Sequence, residues 1–390
     1  VFAERGLRDV VYTLADSRAY RGREEGKTLY LPGGYLAQYD GQRVCESGFW
    51  LYPEGLSSVT ATTGGVLAAG TYQYKAYWEW KNAAGEVERS SFAGLHEVVH
   101  PAGTSTNKTT LTVPCLPYTN KGDNVILAVY RCAANTDGPF YRISPVNPAE
   151  PGWLKNLPNG DALTFVDGTT LQNPTRSGVT DALLLTCEQD PLAMNELDPI
   201  APPCTTAVAV GQDRVFTLDP EDRHLVHFSR LRLAGDAVMF SDALTLEVPQ
   251  DGGPVVALDA TEDGLVIFKA RAIYVGGGQG PDNKGVPLYP APRRVADVGC
   301  SDVRSVVRIP QGILFQSARG LYLLDLSFQA VFIGAAVEGV AITIAGAVTL
   351  PDTHEVRFLC TSGGILSFDF HAGEWSYWPG QVGSSMTLWQ

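Results

Sequence analysis

The chain has 390 residues, 45% of them hydrophobic and 18% charged, which is enough apolar material for two or three domains and excludes a disordered chain. Its 42 acidic and 29 basic residues give a net charge of −13, which excludes a protein that grips nucleic acid through a basic surface. The same charge is compatible with a surface past which DNA slides without sticking.

The turn-forming residues favour an all-β fold. The 41 glycines and 25 prolines have no collagen-like period and are spread between short apolar runs. No long segment shows the 3.6-residue periodicity of a helix. We therefore predict an all-β protein.

The cysteines indicate a protein made in a reducing compartment. Seven is an odd number, and no CxxC pair is present, so we expect thiols. The alternative is a disulfide between Cys115 and Cys132, which flank one predicted hairpin. With no signal peptide and no apolar run of about 18 residues, we expect no membrane insertion. Because Val1 is not an initiator methionine, we expect a piece of a longer chain. The cysteines are Cys45, Cys115, Cys132, Cys187, Cys204, Cys300 and Cys360.

Residues 1–56 are predicted to hold an N-terminal segment and the first strands of a β-propeller. Residues 28–49 alternate apolar and polar positions around the hairpin turn Asp40-Gly41. The preceding residues are charged, and we expect them to be solvated: Arg5, Arg8, Arg18, Arg21, Arg23, Glu24 and Glu25.

Residues 57–175 have a different pattern, typical of a β-sandwich. About seven strand-like runs occur in about 110 residues, with turn signals between them. The run GTYQYKAYWEW (70–80) is the clearest, with one apolar face of Tyr72, Tyr74, Ala76, Trp78 and Trp80. We predict an inserted immunoglobulin-like or fibronectin type III-like domain, and prefer the second because the Cys…Trp…Cys spacing of antibody domains is missing.

Residues 176–204 are poorly patterned, and we predict an extended connection back to the propeller. Residues 205–390 repeat one phrase about every 40 to 50 residues, a period that fits blades of four strands. The phrase is a strand, a tight turn, a second strand and, in most copies, an Asp. It occurs at residues 214–229, 264–276, 312–325 and 354–378.

The order of these segments resembles the tail hub or nozzle proteins of short-tailed bacteriophages, which are also called virion stabilisation proteins. The resemblance covers residues 28–380 and is carried by GTYQYKAYWEWKNAAGEVERSS, VILAVYR, LTFVD, Pro202-Pro203 and DRVFTLD…HLVHFS. It implies a homohexameric ring below the portal and adaptor, through which the genome passes. Family members are commonly longer, so the resemblance implies that the C-terminal part of the propeller is missing here.

His96-Glu-Val-Val-His100 matches the HExxH pattern of zinc proteases. That chemistry needs both histidines on one face of a helix, with the Glu as general base. Gly94 precedes the run and Pro101 follows it, which favours a strand. On a strand rising ~3.3 Å per residue, the two histidines would be about 13 Å apart. We therefore expect no metal site.

The remaining motifs also favour structural roles. His224 and His227 are out of phase on a strand and should face opposite sides. The glycine-rich run 276–280 has no helix pattern after it, so a blade loop is favoured over a phosphate-binding loop. Residues 367–375 resemble the Asp-box of sialidase propellers, a stabilising turn. Arg293-Arg294 is either solvated or an interface contact.

We therefore expect no enzyme: no catalytic residue, no cofactor-binding residue and no metal ligand stands out. The function expected from the resemblance is a structural virion protein, assembled in the bacterial cytoplasm. It would extend the DNA channel and contact portal, adaptor, and fibres or spikes. One alternative is a carbohydrate-binding or glycoside-cleaving propeller of a surface or secreted protein. Another is an intracellular propeller adaptor for protein partners.

Overall fold

The computed structural model describes residues 22–92, 94–150, 152–169, 179–190, 196–338, 340 and 342–388. The described chain is all-β, as predicted. Its α-helix is one turn, α1 (Asp181–Leu184), and short 3-10 turns occur at Gly122–Asn124, Val303–Ser305, Gly334–Val337 and Pro351–Thr353. The predicted solvated arginines Arg5, Arg8, Arg18 and Arg21 lie outside the described residues.

Five four-stranded antiparallel sheets account for most of the strands, each with its strands in chain order. The first is β1 (Arg23–Glu25), β2 (Thr28–Leu31), β3 (Ala37–Tyr39) and β4 (Val44–Glu46). The second to fifth sheets follow the central segment. The second sheet holds β13 (Val208–Gly211), β14 (Arg214–Leu218), β15 (Leu225–Ser229) and β16 (Phe240–Glu247), and the third holds β17 (Val255–Thr261), β18 (Gly264–Lys269), β19 (Ile273–Gly277) and β20 (Arg293–Ala296). The fourth sheet holds β21 (Val307–Ile309), β22 (Gly312–Ser317), β23 (Gly320–Asp325) and β24 (Ala330–Phe332). The fifth sheet holds β25 (Ile344–Leu350), β26 (Glu355–Cys360), β27 (Ile365–Asp369) and β28 (Glu374–Trp378).

Successive four-stranded sheets share hydrophobic cores. The first two sheets bury Tyr30 against Val215 and Phe240, and three further cores lie between the second and third, third and fourth, and fourth and fifth sheets. The first strands of neighbouring sheets lie side by side, β1 beside β13, β13 beside β17 and β21 beside β25. Because a lone four-stranded meander exposes both faces, each sheet is stabilised by its neighbours.

The central segment folds into a unit of two sheets. One sheet holds β6 (Gly70–Lys81), β7 (Val87–Arg89), β8 (His96–His100), β10 (Val125–Arg131) and β11 (Tyr141–Arg142). The other holds β5 (Ser57–Ala61), β9 (Lys108–Pro114) and β12 (Ala162–Asp167). A shared core joins the two sheets, with Trp78 of the first sheet and Leu111 and Phe165 of the second. We call this the two-sheet unit.

The predicted apolar face of β6 is confirmed. Tyr72, Tyr74, Ala76, Trp78 and Trp80 all lie in the core of the two-sheet unit. The opposite face of β6 is also buried, which alternation alone does not reveal, because it carries charged side chains that are paired there. Those charged side chains are Lys75 and Glu79, and each has a partner of opposite charge.

On that second face, Lys75 Nζ lies 3.2 Å from an oxygen of Asp190, and Glu79 lies 2.6 Å from an Arg142 nitrogen. Both faces of the strand are thus covered, one by apolar packing and the other by ion pairs together with the packing of Tyr77 against Tyr130 and Phe140.

Two expectations for local structure were wrong. Arg23 and Glu25 are not solvated, since they form β1, where Glu25 is buried. The residues described between 179 and 204 are not simply extended. They include α1, and Leu184 of this helix packs into the core of the two-sheet unit. Local sequence missed both because the partners come from distant parts of the chain.

All seven cysteines are described, and none forms a disulfide, as expected. The alternative pair, Cys115 with Cys132, is not formed, because both are free, buried thiols. Within the described part of the chain, the only α-helix is far too short to cross a lipid bilayer.

Candidate functional site

The first sheet, the two-sheet unit and the second sheet meet at one place, which we call the junction and define by Glu25, Glu86, Glu88, Lys121 and Arg232. The backbone of β7 is hydrogen-bonded to the loop that joins β15 and β16 of the second sheet. Val87 donates its N–H to the carbonyl of Gly235 at 2.8 Å, and its own carbonyl accepts from Ala237 at 3.0 Å. The two-sheet unit is therefore attached by main-chain hydrogen bonds as well as by side chains.

A fully buried ion pair lies at the centre of the junction. Lys121 Nζ is 2.5 Å from Glu88 Oε2, and both side chains are 0% exposed. The ammonium also donates to the carbonyl of Glu46 in the first sheet at 2.6 Å and lies over the Trp80 ring. Burial opposes the charged form of Lys121, but the charge of Glu88, the smaller contributions of Cys45 and Glu46, and the hydrogen bond to Glu88 together outweigh it, so the pKa of Lys121 is raised.

Glu88 is saturated by donors from the first sheet. Its carboxylate accepts from the backbone of Gly48 at 2.5 Å and from the side-chain amide of Gln38 at 3.1 Å. Charge-assisted bonds of this kind are short and strong, and they offset the cost of removing a carboxylate from water. The first sheet and the two-sheet unit are therefore joined by several charge-assisted hydrogen bonds to one buried carboxylate.

A second ion-pair group joins all three parts of the junction. Arg232, which follows β15, donates from Nε to Glu25 Oε1 at 2.9 Å and approaches Glu86 at 3.5 Å. Glu86 also accepts from Thr28 and Asn82. Because Glu25, Glu86 and Arg232 come from three different parts of the fold, this group fixes their relative positions.

The HExxH residues lie on strand β8, as expected. His96 Nε2 is 2.8 Å from the Ser58 hydroxyl, and His100 Nε2 is 2.9 Å from the Thr109 hydroxyl. Burial lowers the pKa of both histidines. Within the described ranges, no group of three or more His, Cys, Asp or Glu side chains could hold a metal ion.

His224 and His227 contact different partners. His224 Nδ1 is 3.3 Å from Lys269 Nζ, and His227 Nε2 is 3.2 Å from Asp219. The glycine-rich run 276–280 begins in β19, and the next described strand is β20. It therefore precedes a strand, in agreement with the prediction of a loop.

Arg293 and Arg294 lie on the exposed outer strand β20. Arg294 pairs with Asp251 and Asp297, each at 2.8 Å, and Arg293 lies over the Phe328 ring. From the sequence, we considered these two arginines to be either solvated or interface contacts. Both arginines are exposed, and each has a partner within the chain.

The junction residues have no signal in the sequence. Lys121 stands in an irregular polar run, and Glu88 stands in the charged run Glu86-Val-Glu-Arg89, which reads like a solvated turn and strand end. Only their burial distinguishes them, and the partners that bury them are 33 to 75 positions apart along the chain.

No protein-family model matches the chain. No curated protein matches it either. Among solved structures, it is similar to the computationally designed Ika8 protein, with 12% identity over 95% of this chain and 90% of that chain and a TM-score of 0.32. It is also similar to AztD of Citrobacter koseri, with 9% identity over 78% and 80% and a TM-score of 0.28. A chain of the mitotic checkpoint complex has 8% identity over 71% and 78%, and a TM-score of 0.30. Similarities this weak carry no conclusion about function.

Proposed function

We propose that the five four-stranded sheets are blades of a β-propeller and that the two-sheet unit is an inserted immunoglobulin-like or fibronectin type III-like sandwich. The observation that supports this is the interruption of one regular series by a unit with its own core. Sheets one and two are neighbours in space although the whole two-sheet unit separates them along the chain. First strands that lie side by side are what blades around one axis require.

On this basis we propose a structural role in the tail of a short-tailed phage. The chain would form a homohexameric ring that extends the DNA channel below the portal and adaptor. The sandwich would offer a lateral surface to neighbouring subunits, fibres or spikes. The junction supports such a role, because hydrogen bonds of Glu88 and Lys121 attach the two-sheet unit to the first sheet, and the Arg232–Glu86 pair attaches it to the second.

The decisive experiment is electron microscopy of the assembled particle. We expect a ring whose lumen-facing side chains are mainly Asp, Glu and small polar residues, since each lysine or arginine that neutralises a phosphate would slow the moving genome. A lumen lined with arginine and lysine, or a chain without ring contacts, would contradict the proposal.

Arg293 and Arg294 provide a variant test of the subunit seam. We expect the double substitution Arg293→Glu/Arg294→Glu to weaken subunit association in sedimentation experiments, because it reverses two exposed charges on one edge strand. Arg319→Glu, at another exposed position, is the matched control and should leave association unchanged. Saturable binding to a glycan panel together with a persistent monomer would favour the carbohydrate-binding alternative.

A further inference from the structure

A second charged site lies away from the junction, in a cavity of about 380 Å³. We call it the arginine cavity and define it by Arg23, Glu24, Val210, Asp259 and Arg308. These residues come from β1, β13, β17 and β21, the first strands of four successive sheets. The cavity is thus built from parts of the chain that only the tertiary fold brings together.

The carboxylate of this cavity is already saturated by one arginine. Asp259 has a side chain only 4% exposed, and Arg308 binds both of its oxygens, Nε to Oδ2 at 3.0 Å and Nη2 to Oδ1 at 2.9 Å. Each carboxylate oxygen of Asp259 thus accepts a hydrogen bond from Arg308, and the guanidinium neutralises the carboxylate charge.

Arg23 is therefore a second cation beside a neutralised pair. Its Nη2 is 3.9 Å from Asp259 Oδ1, beyond hydrogen-bond distance, and its guanidinium donates no hydrogen bond to any other described side chain. Burial, and then the charge of Arg308, lower the pKa of Arg23, while Asp259 acts in the opposite direction. The Arg23 side chain is 23% exposed, and the nearest carboxylate oxygen that the described residues offer it, at 3.9 Å, is on an aspartate already held by Arg308. An anion in the cavity would therefore reach N–H groups of Arg23 that form no hydrogen bond with a described side chain.

The two guanidiniums also retain donors. Each carries five N–H groups, and Arg308 uses only its Nε and one terminal nitrogen on Asp259. Planar guanidinium forks match the oxygens of phosphate and carboxylate groups. Glu24 borders the same cavity but is exposed, and its charge opposes an incoming anion.

We propose that the arginine cavity binds an oxyanion, a phosphate or carboxylate group, held between Arg23 and Arg308. The anion would accept hydrogen bonds from both guanidiniums and would link the first and fourth sheets across β13 and β17. This site does not depend on the proposed role in a phage tail. The shared ligand chemistry is the oxyanion, and its source is either a free small anion or an anionic group of a partner.

The test is isothermal titration calorimetry of the full chain with inorganic phosphate and, separately, with succinate, in a buffer free of both. We expect saturable binding of at least one of them. Arg23→Gln and Arg308→Gln should each weaken it about tenfold or more, the usual effect of losing a charge-assisted hydrogen bond. Glu24→Gln should strengthen it, because it removes an opposing charge.

Arg294→Gln is the matched control, since Arg294 is also a half-exposed arginine paired with an aspartate, Asp251. It should leave the affinity unchanged. If Arg23→Gln fails to fold, Arg308→Lys and Glu24→Gln test the proposal instead. Arg308→Lys keeps the positive charge but loses the planar guanidinium, so it should weaken anion binding. Glu24→Gln keeps the size of the side chain and should not disturb packing. Absence of saturable binding for both anions at about millimolar concentration, or equal losses in Arg294→Gln, would overturn the proposal.

Discussion

Charged side chains that have no contact with water are prominent at the scale of single residues. Lys121 and Glu88 are both fully buried, and Arg131, also fully buried, lies 2.8 Å from Asp167. A buried ion pair repays its desolvation only when its geometry is good and its remaining donors and acceptors are satisfied. At the junction they are, so removal of one partner leaves an uncompensated charge in the interior.

We predict that Lys121→Met lowers the free energy of unfolding by about 3–5 kcal/mol, because Glu88 would remain buried and unpaired. Urea denaturation measures the change. Arg294→Gln, at an exposed pair, should cost at most about 1 kcal/mol. In a double-mutant cycle, Lys121→Met combined with Glu88→Gln should be less damaging than the sum of the two, and strict additivity would count against a coupled pair.

A second prediction concerns Asp198. Burial, with a contribution from the nearby Asp190, raises the pKa of Asp198 from 3.8 to about 6. Its Oδ1 is buried with no hydrogen-bond partner among the described residues. Because the folded-state pKa lies above the unfolded one, the folded state is penalised above pH 6, and the penalty fades as the pH falls from about 6 toward 3.8.

Asp198→Asn should therefore raise the melting temperature at neutral pH and have no effect once the pH is below the unfolded pKa of 3.8. Thermal melts across this range measure it. Asp263→Asn, at an exposed position, should show no such dependence. A stabilisation by Asp198→Asn that is constant with pH would point to a cause other than the carboxylate charge.

The cysteines yield a third prediction. Burial raises the pKa of Cys45 and of Cys300 to about 12, so neither forms thiolate readily, whereas Cys204 is exposed. In the native protein, Cys204 should react first with a thiol reagent. In denaturant without reductant the count should reach seven per chain. A count of five would reveal a disulfide.

At the scale of elements, four of the five four-stranded sheets share one turn design. An aspartate at the end of a strand accepts backbone N–H groups from the following turn, in the first, second, fourth and fifth sheets. Asp369 is typical: the N–H groups of Ala372 and His371 bind its carboxylate and lower its pKa. The turn expected from the Asp-box-like run is therefore present and recurs. The four aspartates are Asp40, Asp219, Asp325 and Asp369.

We predict that these aspartates stabilise their turns. Asp325 Oδ1 accepts from the backbone of Ser327 and of Gln329, both at 2.8 Å. Asp325→Ala should lower the free energy of unfolding by about 1–2 kcal/mol, since both donors lose their acceptor. Asp325→Asn keeps an acceptor oxygen and is the matched control, which should lose less than half as much. Equal losses would show that the charge, not the acceptor, matters.

At the scale of the whole molecule, the two-sheet unit has a nearly self-contained core. Residues beyond its last strand complete it. Val179 and Leu184 pack into that core, Asp181 lies 2.8 Å from Arg131, and Asp190 pairs with Lys75. The described part of residues 179–190 is therefore packed with the unit that precedes it, although sequence patterning assigned it to a connection.

We predict that a fragment of residues 57–190 unfolds cooperatively and that a fragment of residues 57–170 is markedly less stable. The shorter fragment removes Asp190, which pairs with Lys75, and Asp181, one of the two carboxylates that pair with Arg131, so that Arg131 keeps only Asp167. Thermal unfolding followed by circular dichroism compares the two. Equal melting temperatures would mean that the contacts of residues 179–190 contribute nothing, and molten profiles for both would count against an autonomous domain.

Local pattern alone determined the strands of this protein. Period-two alternation places Tyr72, Tyr74 and Trp78 on one face of β6, and tight turns containing Gly363-Gly364 and Ala372-Gly373 divide the last three strands. These features depend on neighbours two to four positions away, so composition and alternation suffice. The strand assignment of the HExxH run follows in the same way, from Gly94 and Pro101 at its ends.

Tertiary structure alone decided which charges are buried and with what partner. Glu25 resembles any solvated charge in the sequence, yet it meets Arg232, which is 207 positions away. Arg23, Asp259 and Arg308 form one cavity although each belongs to a different sheet. Whether a charged side chain is solvated or paired depends on the three-dimensional proximity of distant segments, and no short-range periodicity encodes that proximity.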